Sequence, residues 1–120
     1  MHKQHFAIGV LIIGALAVAA CGETVSSPDA LKVTLQAEDV KWDTPTINAN
    51  VGQPVEVAIA NKGALDHNFS VDEFGVSKSV TFGASASVTF TPTTAGEFEF
   101  YCNVAGHKEA GMVGTLVVSP

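Results

Sequence analysis

Cys102, His107 and Met112 stand at five-residue intervals in the stretch YCNVAGHKEAGM, Tyr101 to Met112. A glycine immediately precedes both the histidine and the methionine. On an α-helix, five residues advance about 500°, so successive members would point about 140° apart. On one straight strand, the odd spacing would send alternate members to opposite faces. Only a loop that folds back lets the three side chains meet, and Gly106 and Gly111 supply the backbone freedom for it. Thiolate, imidazole and thioether are soft or borderline ligands that together suit copper. Two histidines, a cysteine and a long axial methionine make up the blue-copper donor set.

The second histidine must come from elsewhere. Beyond residue 20 the chain holds only His67 and His107, one methionine, and one cysteine apart from Cys21. His67 lies in LDHNFSV at the expected start of a strand. The chain therefore offers one complete set of four ligands and no spare. Each of these residues alone has an ordinary structural reading, Cys102 above all, since a cysteine ending an apolar strand is often just core. Chance placement of all four is the weaker explanation.

The elements that must position them read as strands. LKVTLQA (Leu31 to Ala37) and VEVAIAN (Val55 to Asn61) alternate apolar and polar residues. Ser79 to Phe82, Ser87 to Pro92 and Gly114 to Ser119 are short Val/Thr/Phe runs. EFEFYC places Phe98, Phe100 and Cys102 on one face, and Glu97, Glu99 and Tyr101 on the other. Period-two alternation with β-branched and aromatic residues marks half-buried strands. NVGQP, NKG, FGAS and TPTTAG supply the turns between them. No amphipathic helix longer than two turns is legible. The pattern predicts an all-β fold, a Greek-key β-sandwich of seven to eight antiparallel strands over residues 31–120. Trp42 and the phenylalanines are expected in its core or packed on the tether side. Glu97 and Glu99 read as a solvated face, Lys108 and Glu109 as exposed loop positions, and Asp66 as facing solvent.

The first twenty residues are of another kind. MHKQH carries one lysine, and Phe6 to Ala20 is an unbroken apolar or glycine run, shorter than the roughly 20 residues of a spanning helix. This is the pattern of an export signal. VAAC (Val18 to Cys21) resembles the lipobox of bacterial lipoproteins, with valine where leucine is usual. That resemblance implies lipidation at Cys21, a polar tether over 21–30 and a membrane anchor. Ordinary cleavage and an uncleaved anchor are the other readings, and all three place the domain outside the cytoplasmic membrane, in the periplasm or its equivalent.

The chain has 120 residues, enough for one folded domain. Twelve acids against six lysines, with no arginine, give a net charge of −6. That argues against nucleic acid, which calls for a basic stripe.

HNF at His67 to Phe69, followed downstream by Y-C-x4-H-x4-M, resembles the cupredoxins, small type 1 copper electron carriers such as plastocyanin and azurin. The four-and-four spacing is most similar to that of auracyanin or rusticyanin. The resemblance spans Leu31 to Ser119. It implies that His67 and His107 bind copper through ring nitrogens, Cys102 as thiolate and Met112 as weak axial ligand. It implies that Asn68 braces the two ligand-bearing segments, with a hydrogen bond toward the cysteine sulfur. Rusticyanin has serine there, so Asn68 implies a less extreme potential. It further implies electron exit at the exposed edge of His107. The patch around it would be Val104, Ala105, Gly106, Ala110, Gly111 and Val113, suited to brief docking of redox partners by a monomer. The expected function is a one-electron carrier and not an enzyme. A copper carrier or buffer is the alternative. A multicopper oxidase would need further histidines, a binuclear centre a second loop cysteine, and a metal-free adhesion domain would not need Cys102.

Overall fold

A computed structural model describes residues 29–120. The expected export signal, the expected lipidation at Cys21 and most of the expected tether fall on residues 1–28, outside the described residues. Nine strands follow one another: β1 (Leu31–Glu38), β2 (Lys41–Trp42), β3 (Thr46–Asn50), β4 (Val55–Asn61), β5 (His67–Val71), β6 (Val76–Val80), β7 (Ser85–Phe90), β8 (Gly96–Tyr101) and β9 (Val113–Ser119). A single 3-10 turn, Asp72–Phe74, joins β5 to β6 and ends on Gly75 in the left-handed region.

The strands form two sheets, ordered β2-β1-β4-β7 and β3-β9-β8-β5-β6. The sandwich is thus all-β, with two corrections to the pattern expected from sequence. First, the count is nine, because β2 and β3 carry weak strand signals. Lys41–Trp42 is only two residues long, and TINAN at Thr46–Asn50 is rich in asparagine, a poor strand former. Second, the sheets are mixed, not antiparallel throughout. β1 runs parallel to β4, with Leu31 opposite Val55, and β3 runs parallel to β9, with Thr46 opposite Thr115.

Alternation explains which side chains enter the core. Leu35, Ala37, Val55, Val57 and Ile59 come from one sheet; Ile47, Phe69, Val71, Phe100, Leu116 and Val118 come from the other. Burying one such side chain contributes roughly 1.5–3 kcal/mol. Trp42 packs edge-on against Phe69, with centroids 6.0 Å apart, and Phe69 lies 5.5 Å from Phe100. Phe69 and Phe100 stand two residues from His67 and Cys102 along the chain, and all four are buried. Gly114 faces Phe100 at close range, and a methyl group there would land on the ring.

Candidate metal centre

β8 carries its alternation up to Tyr101, which leaves Cys102 pointing to the core side, fully buried. β5 pairs antiparallel with β8 through Ser70 opposite Tyr101. Continuing that register brings His67, three residues earlier on β5, beside the segment just past Cys102. β5 is buried at every position, so His67 is 1% exposed. This register is how a residue far upstream joins the C-terminal loop.

The loop from Cys102 to Met112 is a chain of turns closed by main-chain bonds. The Cys102 amide donates to the Met112 carbonyl at 3.1 Å, and the Met112 amide donates to the His107 carbonyl at 3.0 Å. Gly106 and Gly111 take φ of 83° and 105°, where a Cβ is strained, and open space surrounds both. Each marks the fold-back that the five-residue spacing required. Met112 is fully buried beside Cys102 and His107 along the backbone.

Three donor atoms converge. His67 Nδ1 lies 3.2 Å from His107 Nδ1, and Cys102 Sγ lies 3.5 Å from His107 Nδ1 and 4.0 Å from His67 Nδ1. Nitrogen and thiolate ligands sit about 2.0–2.1 Å and about 2.3 Å from a divalent ion. One ion can therefore touch all three, since each separation is below the sum of the two bonds it would span. His67, Cys102 and His107 form a group able to hold a metal ion, and Cys102 is a free thiol. The donor chemistry fits a soft or borderline cation.

The immediate surroundings tune these donors. Burial, and next the neighbouring His107, hold the His67 pKa below its ordinary value, against the opposing pull of the Asp39 and Asp66 carboxylates. A neutral imidazole is the metal-binding form. The Asn68 main-chain amide donates to Cys102 Sγ at 3.3 Å. The carboxamide of Asn68 goes elsewhere: it donates to Ser77 Oγ at 3.1 Å and accepts from Ser70 Oγ at 2.5 Å. Its side chain therefore ties β5 to β6 and does not bridge to the cysteine segment, a difference from the bracing role that the resemblance implied.

Other expected positions fall as follows. Ala105, Gly106, Ala110 and Gly111 are exposed, Val104 and Val113 are half-buried, and His107 keeps 9% of its surface open. Glu97, Glu99 and Glu109 are exposed. Lys108 is exposed as well, and its ammonium pairs with Glu99 at 2.5 Å and sits 4.3 Å from the Tyr101 ring centroid. Trp42 is core. Asp66, though exposed, accepts a bond from the Phe82 amide at 2.7 Å and so does more than face solvent. Phe82 corrects the expectation for the phenylalanines: it sits in the turn after β6 and is 66% exposed, and Leu65, which the sequence did not single out, is 46% exposed just before His67. The bonding role of Asn61 was not legible: the sequence shows it only as the end of the VEVAIAN run and the start of an NKG turn.

The Cupredoxin-like domain family matches residues 9–118. Copper-resistant cuproprotein CopI of Rubrivivax gelatinosus is 29% identical over 117 residues, covering 81% of this chain and 70% of the relative. Auracyanin of Roseiflexus castenholzii superimposes with a TM-score of 0.69 at 21% identity, over 76% of this chain and 98% of the other. Auracyanin A of Chloroflexus aurantiacus gives 0.65 at 20% identity, over 75% and 99%. At these identities the two structural likenesses speak to the fold.

Proposed function

Because this chain belongs to the cupredoxin-like family, we propose that it is an exported one-electron carrier whose cofactor is a single type 1 copper ion. The observation that carries the reading is the convergence of His67 Nδ1, His107 Nδ1 and Cys102 Sγ within 4.0 Å of one another. With buried Met112 they make up the donor set of a type 1 site. Copper supplies a one-electron couple between Cu(II) and Cu(I).

The remainder is the work of the chain. His67 and His107 would hold the ion through Nδ1 and Cys102 through Sγ, the atom to which the Asn68 amide donates. The sandwich anchors His67 on β5 and Cys102 at the end of β8, so little rearrangement would accompany a change of charge. Burial of His67, Cys102 and Met112 excludes water. The open edge of His107 offers the route to a partner. Around it Val104, Ala105, Gly106, Ala110, Gly111 and Val113 supply a small-residue contact surface for brief, low-area docking. Leu65 and Phe82 extend the exposed apolar surface near His67. An export signal over residues 1–20, lipidation at Cys21 and a tether over 21–30 complete the reading. The domain would then work at a membrane surface, in the periplasm.

A second reading is that of a copper carrier or buffer. It is favoured by the name of the Rubrivivax relative, a copper-resistant cuproprotein. The two separate in one pair of measurements: voltammetry of the copper-loaded protein, and transfer of copper to a chelating acceptor. A reversible couple with slow metal loss supports the carrier of electrons. Rapid, complete hand-over of metal with no reversible couple overturns it in favour of the carrier of copper.

A further inference from the structure

Asn61 is the last residue of β4 and is 4% exposed. Its carboxamide donates to the Leu65 carbonyl at 2.7 Å and to the Val80 carbonyl at 3.1 Å, and accepts from the Gly63 amide at 3.0 Å. Both partners of the NH2 group flank His67. Leu65 lies two residues before it, and Val80 is its partner in the β5–β6 ladder. β4 belongs to one sheet, and β5 and β6 belong to the other. One buried side chain thus crosses the sandwich and grips both neighbours of a ligand-type histidine.

The same segment is gripped from a second side. The amides of Lys62 and Gly63 donate to the Ala37 carbonyl, and the Ala64 amide donates to Asp39 Oδ1 at 2.8 Å. Gly63 passes so near this turn that a methyl there would lie 2.8 Å from Asp39 Oδ1 and 3.0 Å from the Glu38 carbonyl carbon. Residues 62–66 belong to no strand, so these bonds stand in for a ladder. Those of Asn61 are the sheltered ones, and an apolar residue of equal size would strand two carbonyls and an amide.

We infer that Asn61 is a positioning residue for His67. By holding Leu65 and Val80 it fixes the His67 ring against His107, and so governs how tightly and in what geometry copper is held. The inference rests on the copper reading for its consequence but not for its geometry.

The test uses the full chain with Asn61→Ala, Asn61→Asp and a control, Val118→Ala. Asp keeps the acceptor for Gly63 and loses both donors. Val118 pairs with Gly96, at the opposite end of β8 from Cys102, so its truncation destabilises from afar. In the metal-free protein, amide exchange at residues 65–68 is expected to rise about tenfold beyond the general increase that Val118→Ala causes. In the loaded protein, copper loss to a chelator should quicken by about the same factor, with a changed EPR spectrum. Uniform exchange and copper loss no faster than in the control would overturn the inference. If the Ala and Asp forms do not fold, Asn61→Gln, which moves the amide by one methylene, takes their place. Faster local exchange and faster copper loss in that variant support the inference, and control-like values for both overturn it. A wild type that takes up no copper would sink the functional reading, while the exchange measurement would still decide the role of Asn61.

Discussion

The Nδ1 atoms of His67 and His107, 40 residues apart in sequence, lie 3.2 Å from each other, with the Cys102 sulfur within 4.0 Å of both. At this distance the two Nδ1 atoms can share one hydrogen-bonding proton at most. A cation replaces that arrangement with two converging lone pairs. The chain folds so that both rings face inward, and that orientation depends on protons, on the hydrogen bonds of β5 and on the packing beneath the site.

The first prediction concerns protons. The His67 pKa is lowered in the fold, chiefly by burial, from an ordinary value of 6.5. Below that value the unfolded chain takes up a proton that the folded chain resists. The contribution of His67 to stability is therefore present above pH 6.5 and is lost as pH falls through the window beneath it. Urea midpoints of the metal-free protein should drop between about pH 7 and about pH 5.5, and His67→Gln should flatten that drop. An equal slope in wild type and variant would contradict the assignment, because the carboxylates are common to both.

The second concerns Asn68. The sulfur bond comes from its main chain, so Asn68→Ala leaves it intact and strands the buried Ser70, whereas the exposed Ser77 turns to water. A loss of about 1–3 kcal/mol in stability is expected, with little change in the copper spectrum. Asn68→Ser separates potential from stability. A large shift in potential would mean that the carboxamide network reaches the copper through β5 and β6, as the resemblance to rusticyanin suggested.

The third concerns close packing. Gly114→Ala would drive a methyl into the Phe100 ring, and overpacking of this kind typically costs about 1–3 kcal/mol or more. Gly106→Ala has room and meets only its positive φ, at about 1–2 kcal/mol. Thermal melts should rank Gly114→Ala below Gly106→Ala. The reverse order would mean that the Phe100 ring yields easily to the added methyl.

The fourth concerns docking. Ala110→Glu places a bulky charge on the open patch beside His107 without touching a donor atom. Electron transfer with the physiological partner should slow by about tenfold or more while the copper spectrum stays unchanged. Unchanged rates would move the exit route away from His107.

Much of this was legible in the sequence. The fold-back at Gly106 and Gly111, the inward Cys102 and the strand beginning at His67 all follow from spacing and alternation. What was hidden is long-range. The parallel pairing of β3 with β9 joins Thr46 to Thr115, and no local pattern announces it. The Lys41–Trp42 strand exists only because Ala37 and Glu38 sit opposite it. Asn61 reads as a turn residue until the fold brings Val80 against it. The Asn68 sulfur bond belongs to the residue that the resemblance pointed to, but only coordinates divide it between amide and side chain.

His67, Cys102, His107 and Met112 make up the donor set for one type 1 copper ion. The most direct test is the visible and EPR spectrum of the copper-loaded protein, recorded beside Cys102→Ala. An intense blue absorption is expected in the wild type, and it should disappear with the cysteine sulfur. A colourless wild type, or a colour that survives Cys102→Ala, would contradict it.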